Sequence, residues 1–431
     1  MIDELAIVMA GGKGERLSPL TQDRSKPSVP FGGTYRLIDI TLSNCVNSGI
    51  YKIMVLPQYK SQSLVDHLEA GWNIFSFDLG HYLRIVSPQM RTGERWYEGT
   101  ADSVRQNAYL IERDPHLSKI LVLSGDHVYK MDYRLFRRYH DERQADVTIS
   151  VIEVDRPSAR SFGVVEVDKD FNIKAFHEKP DDPVSIPGDP AHALASMGIY
   201  IFNREALLEA LDMAQGKDFG HDIIPSLLGK YKVVAYPYRA QNRIEDYSFV
   251  TQPDGRRAQV LEDRAKDSGY WRDVGNLDAY WNANMDLCGV EPFFNLYGTY
   301  WPIHTHMRQL PPAKFVFASE RADPPRVGKA LDSLVGQGCI ITGIVRDSVL
   351  STNVITRSWS HVSESVIMDN VIIGRNCKVK KAIIDKSNYV PDGTNIGVDP
   401  AVDKERFKVT QRGITVVPKG YFPGGVGAKT N

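Results

Sequence analysis

Apolar residues follow two rhythms along this chain. In the first two thirds, short apolar runs alternate with stretches where apolar residues recur every three or four positions. Residues 5–9 (LAIVM), 52–57 (KIMVLP), 119–126 (KILVLSGD) and the stretch from 146 (DVTISVIEV) predict buried strands. Between them, 36–48 predicts a helix stopped by Gly49, 103–112 a second and 133–144 an amphipathic third. Strands separated by helices predict an α/β domain, a mostly parallel sheet covered on both faces. Ligands of such sheets sit at the carboxyl ends of the strands. Two polar stretches follow strands directly and should meet there: AGGKGERLSPLTQDRSKP at 10–27 and SGDH at 124–127.

The second rhythm begins after about residue 290. The stretch 301–315 is Pro-rich and reads as an ordered connector, and the one from 318 reads as an exposed loop. From 334 onward, short β-like pieces recur without helices. Ile367, Ile373 and Val379 are six apart, as are Ile384, Val390 and Ile396 after a five-residue step. Such hexads suit a β-helix whose coils stack and bury one column of aliphatic side chains. A small irregular β-domain is the alternative. The expected division is 1–290 for the α/β domain, 291–330 for the connector and 331–431 for the β-helix.

Composition removes several classes of function. A net charge of −1 over 431 residues argues against a generally basic nucleic-acid binder. The four cysteines are far apart with no C-x-x-C, which fits free thiols in a reducing compartment and gives no zinc site. The start, MIDELAIVMAGG, carries acids where a signal peptide needs basic residues. No run approaches the roughly 18 apolar residues of a membrane span. A cytoplasmic protein with neither membrane nor nucleic acid as partner is expected.

The chemistry gathers around the first polar stretch. Gly11, Gly12 and Gly14 stand beside Lys13, Arg16 and Lys26. The spacing fits neither the P-loop nor the dinucleotide fingerprint. Glycines still let backbone N–H groups approach an anion, and a helix starting after them would add its dipole. A tight strand-to-helix turn with solvated basic residues is the alternative. Asp126 closes an apolar strand, and Asp273 in YWRDVGNLDAYW precedes a predicted helix at 276–287. Together they suit Mg²⁺, which takes one or two carboxylates and completes its shell with phosphate oxygens and water. Asp273 equally suits a helix N-terminus or a salt bridge with Arg272, and His127 suits either a ligand or a packed histidine. Lys179, before Pro180, fits a phosphate cap or a surface turn. Tyr97 fits a sugar or base pocket or a hydrophobic staple.

No G-x-S-x-G elbow and no H-E-x-x-H occurs. Nucleotidyl transfer needs neither. A sugar phosphate attacking the α-phosphorus of a nucleoside triphosphate is already ionised near neutral pH, so positioning and cations suffice.

The motif G-G-x-G-x-R-L-x-P-L-T followed by K-P, present at 11–21 and 26–27, resembles the signature of the sugar-nucleotide pyrophosphorylases. WYEGTADS, SNCVNSGI and YWRDVG resemble their bacterial glucose-1-phosphate adenylyltransferase branch, and further matching segments run in order across residues 5–315 and into the β-helical tail. The resemblance implies a Rossmann-like catalytic domain, a left-handed parallel β-helix and a homotetramer. It implies formation of ADP-glucose and pyrophosphate from ATP and glucose 1-phosphate with Mg²⁺, the committed step toward glycogen. Asp126 would be the catalytic aspartate and metal ligand and Asp273 the second ligand. Ala10, Gly11, Gly12, Gly14, Arg16 and Lys26 would hold the nucleotide, and Tyr97, Gly163, Glu178, Lys179 and Ser196 the glucose 1-phosphate. Gln58 and Trp96 match positions linked to communication with a site for anionic metabolite effectors. Asp23 departs from the pattern: some bacterial members carry a basic residue there, and a carboxylate repels a phosphate unless another cation overrides it.

Overall fold

The structure is a computed structural model and describes residues 3–12, 14–89, 96–316, 318–319 and 321–424. Among them, nine strands form the central sheet. Glu4–Ala10 lies between Lys52–Pro57 and Lys119–Ser124, parallel to both. Its alternate side chains part to opposite faces: Ala6, Val8 and Ala10 enter one core and Leu5 and Ile7 the other. Both faces are therefore covered, which explains an apolar run without alternation. Val147–Asp155 and Val233–Pro237 are a second parallel pair. His192–Asn203 joins the two parallel sets by running antiparallel to Lys119–Ser124 and Val147–Asp155. Gly163–Val167 and Ile173–Glu178 extend this side. Most strands thus run one way, with His192–Asn203 and Ile173–Glu178 against them.

The helix expected at 36–48 is Leu37–Asn47, and Gly49 follows it with φ 78°. The one at 133–144 is Tyr133–Glu142, capped by the Asp132 side chain. The stretch 103–112 is two helices, Thr100–Arg105 and Ala108–Glu112. Asn107 stands at the break; its side chain donates to the Ser103 carbonyl and the Tyr97 hydroxyl. One expectation fails locally. The glycine loop leads not into a helix but into one 3₁₀ turn, Glu15–Leu17, so no aligned helix dipole reaches the loop.

The tail is a three-sided parallel β-helix. Ile367 pairs with Ile384, Ile373 with Val390, and Val379 with Ile396, each on a different sheet. Successive hexads therefore turn a corner rather than stack, and stacking comes only after a full coil. Three buried columns result, not one. The stretch read as connector already supplies two strands, Lys314–Phe315 and Lys329–Leu331.

One sheet of the β-helix docks on the α/β domain. Val366, Ile383 and Val416 point out of the coil into the same core as Phe31, Leu37 and Leu277. Across this boundary the Trp281 indole donates to the Glu364 carbonyl (2.8 Å), Thr410 to Asp278 (2.6 Å) and Lys408 to the Ser18 carbonyl (2.7 Å). No helix among the described residues is long and apolar enough to cross a membrane.

Candidate active site

The glycine loop follows Glu4–Ala10 and the Ser124–Asp126 stretch follows the adjacent strand, so both lie at one sheet edge. Gly11, Gly12, Gly14, Arg16, Lys26, Asp126 and Gly275 line one open cleft there. Gly12 has φ 107° and Gly14 φ 60°, backbone that a side chain would strain. Lys13 lies outside the described residues.

A second element brings Asp273 in. The short strand Trp271–Asp273 pairs antiparallel with His127–Tyr129, so that Asp273 faces His127. Lys26 Nζ lies 2.9 Å from Asp126 Oδ2 and 3.2 Å from Asp273 Oδ1. The two carboxylates therefore face a common point. His127 Nε2 is 3.6 Å from an oxygen of each, too far for a hydrogen bond but close enough to add field. The Ser124 hydroxyl donates to Asp126. Burial opposes the Asp126 charge, yet Lys26, His127 and Ser124 hold its carboxyl well below the usual range. Burial likewise opposes the Lys26 charge, and Asp126 and Asp273 raise its value on balance. Gly275 permits this approach: a Cβ there would stand 2.6 Å from Asp273 Oδ2 and 3.3 Å from Arg16 Nη2.

The donor set fits a hard divalent cation. It offers two carboxylates, Asp126 from the bend after Lys119–Ser124 and Asp273 from the end of Trp271–Asp273, and no group of three or more His, Cys, Asp or Glu metal ligands exists among the described residues. Phosphate oxygens and water would have to complete the shell, as Mg²⁺ prefers.

A second corner gathers most of the other expected residues. Gly163 pairs with Glu178 across two strands, and Ser196 lies on the adjoining strand. A Cβ on Gly163 would clash with the Phe176 ring and stand 3.0 Å from Glu178 Oε2. Lys179 turns the chain with φ 47°; its N–H donates to the Phe162 carbonyl and its exposed ammonium pairs with Glu178. Phe162 packs on Trp271, and Trp271 on His127, which ties this corner to the carboxylate pair. Tyr97 is buried, its hydroxyl donating to the Val86 carbonyl and accepting from Asn107. Gln58 donates to the Tyr97 carbonyl and lies against Gly11, where a Cβ would be 2.8 Å from its Oε1. Gln58 thus bridges the glycine loop and the segment that begins at Trp96, whose own side chain is exposed.

Sequence reasoning missed Ser124, Thr100 and Asp218. Thr100 donates to Asp218 at 3.0 Å, and Asp218 caps the turn holding Phe219 and Gly220 against Glu178. A polar-aromatic-Gly run at 218–220 was the available signal. Asp23 is paired with Lys419 of the tail at 3.2 Å, both side chains about half exposed.

Comparison with known proteins agrees with this layout. The nucleotidyl transferase family model matches residues 5–289, and the GlmU-like C-terminal hexapeptide model matches residues 311–417, the left-handed β-helix. The chain belongs to the nucleotidyl transferase family. Relatives that align over nearly its whole length include proteins named glucose-1-phosphate adenylyltransferase. The protein of Koribacter versatilis is 46% identical over 98% of this chain and 96% of its own length. Those of Methylococcus capsulatus and Thiobacillus denitrificans are each 47% identical over 96% of this chain, covering 92% and 89% of theirs.

Proposed function

We propose that this chain is a glucose-1-phosphate adenylyltransferase, converting ATP and glucose 1-phosphate to ADP-glucose and pyrophosphate. The observation that carries the reading is the meeting of Asp126, Asp273 and Lys26 at the mouth of the glycine loop. Near-full-length likeness to glucose-1-phosphate adenylyltransferases supports the choice of substrates. The loop Ala10–Gly14, with Arg16 and Lys26, cradles the triphosphate. Gly163, Glu178, Lys179 and Ser196 receive the sugar phosphate, with Tyr97 backing the pocket.

A phosphate oxygen of glucose 1-phosphate attacks the α-phosphorus in line. The bond from that phosphorus to the bridging oxygen of the β-phosphate breaks, and pyrophosphate leaves with the electron pair. The nucleophile is ionised, so no base is required. The work of the chain is alignment and charge neutralisation. Mg²⁺ held by Asp126 and Asp273 supplies Lewis-acid stabilisation of charge on the α-phosphate when bound. Arg16 and Lys26 face the departing pyrophosphate. Lys179 neutralises the sugar phosphate, and Glu178, polarised by it, accepts from sugar hydroxyls.

Anionic metabolites act from the domain boundary. A cavity there is lined by Arg36, Arg308 and Lys386 with His67, His306 and Asp369. Three strong cations in one cavity suit a phosphate-bearing effector. Gln58 and Trp96 relay its state to the glycine loop in a homotetramer that supplies ADP-glucose for glycogen.

The test is pyrophosphate release with glucose 1-phosphate and Mg²⁺, comparing ATP, UTP, dTTP and GTP, with and without sugar-phosphate effectors. Preference for ATP is expected. Preference for another triphosphate would overturn the adenylyl assignment, and inactivity with all four, effectors included, would overturn the enzymatic one.

A further inference from the structure

The Lys26 ammonium occupies the point that Asp126 and Asp273 share. A divalent cation held by both carboxylates needs oxygens at about 2.0–2.1 Å and therefore the same space. An ammonium and a divalent cation cannot both stand there, because like charges a few ångströms apart repel strongly in a half-buried site. We infer that Lys26 is the built-in counter-ion of the metal site, holding the gap between the carboxylates in the empty enzyme and leaving it for the nucleotide phosphates when the metal arrives with ATP. This rests on the metal and phosphate assignments proposed above.

Burial makes the counter-ion necessary. The side chains of Asp126 and Asp273 are about one-fifth exposed and Lys26 about one-tenth. Two facing carboxylates so placed are costly without a cation between them. Ligand count decides which cation wins. The chain presents two carboxylates and, among the described residues, no third metal ligand grouped with them. A metal ion alone gains too few bonds to evict the ammonium. A metal ion bound to a triphosphate brings phosphate oxygens as further ligands, and it also brings Lys26 an anionic alternative. Geometry makes the exchange short. Lys26 lines the same cleft as Gly11, Gly12, Gly14 and Arg16, so its flexible stem has only to turn from the carboxylates into the cleft. Metal and nucleotide then bind with positive coupling, each raising the affinity for the other. Lys26 reaches the leaving pyrophosphate only once the metal is in place.

Mn²⁺ is the probe, its binding followed by loss of the free-ion paramagnetic resonance signal. Titrations are run on the full chain without nucleotide and with α,β-methylene-ATP, which cannot release pyrophosphate. Without nucleotide, Lys26→Gln should bind Mn²⁺ about tenfold tighter than wild type, since one opposing unit charge at contact distance is gone. The analogue should enhance Mn²⁺ binding strongly in wild type and much less in Lys26→Gln. Lys26→Met is the second variant, lacking any polar group that could itself hold the carboxylates; it should shift in the same direction. Equal or weaker Mn²⁺ binding in both variants, with binding lost in Asp126→Asn, would overturn the counter-ion role and leave the metal assignment standing. Wild-type Mn²⁺ affinity in Asp126→Asn under both conditions would overturn the metal assignment, and the inference with it.

Discussion

Two buried charge clusters lie two residues apart in the sequence, and they are built for different ends. Arg24 donates to both carboxylate oxygens of Asp385 at 2.7 and 2.8 Å, across the boundary between the α/β domain and the β-helix. Both side chains are almost wholly buried. Lys26 bridges Asp126 and Asp273, but that knot opens onto a cleft. The Arg24 pair is complete as it stands. Asp385 also accepts from the Lys386 backbone N–H, and Arg24 rests on the Met368 sulfur. The Lys26 knot is open on one side, and on the counter-ion reading proposed above its ammonium gives way there to a metal. Closed buried pairs fix geometry, because nothing can relieve a partner left alone. Open ones can exchange ions and are suited to chemistry.

The largest test of this difference is Asp126→Asn. The substitution keeps the shape of the side chain but replaces one acceptor oxygen by an NH2 and removes the charge on which the proposed counter-ion and metal roles both depend. Turnover should fall by about 10³-fold or more, in the range of losing a transition-state electrostatic contact. The thermal midpoint should stay within a few degrees of wild type, because water reaches the cleft. Turnover near wild type would show that the knot does no chemistry, and a collapsed midpoint would show that it is as structural as the Arg24 pair.

Asp385→Asn probes the closed pair. It leaves a buried guanidinium facing a neutral amide, and a cost of about 3 kcal/mol is expected. Turnover per folded molecule should fall less than tenfold, since Arg24 acts on the loop before Lys26 and not on substrate. The double change Arg24→Met with Asp385→Leu should recover much of the lost stability. A single variant as stable as wild type would remove the distinction between the two clusters.

Such clusters show where sequence reading stops. Strand ends are legible in apolar runs, so the chain pattern by itself places Asp126 beside the glycine loop. The convergence of Asp273 depends on the Trp271–Asp273 ribbon pairing with His127–Tyr129, a long-range pairing that local pattern does not encode. Hexads at Ile367, Ile373 and Val379 signal a β-helix, but not that each step turns to a new face. The helix break at Asn107 depends on a side chain answering Tyr97, again a tertiary partner. The role of Arg24 is not legible in local pattern, because its partner Asp385 arrives only when the β-helix docks. The exposed Lys179, by contrast, remains where a turn before proline would put it.

The smallest effect is expected at a third pair, Lys386 with Asp369, 2.5 Å apart inside the cavity at the domain boundary. It is intermediate: a single closed ion pair like that of Arg24, yet facing a cavity and partly exposed like the Lys26 knot. Burial pushes the Asp369 carboxyl up, but Lys386 and the Thr352 hydroxyl hold it below the ordinary carboxylate value. A carboxyl that is more acidic in the folded chain binds fewer protons there than in the unfolded chain. Stability therefore rises with pH between the folded and unfolded values. The contribution is complete above the unfolded value of about 3.9 and is lost as pH falls through the folded one. Asp369→Asn removes the titrating group, so its thermal midpoint should fall less steeply than that of wild type as pH is lowered from about 5 to about 3. The difference should be smaller than the Asp385 effect. Equal slopes would place Asp369 among groups that titrate alike in both states, and the cavity would then be electrostatically open like the catalytic cleft. A slope difference as large as the Asp385 penalty would mean that Lys386–Asp369 is a second closed pair and that an anion entering the cavity must break it.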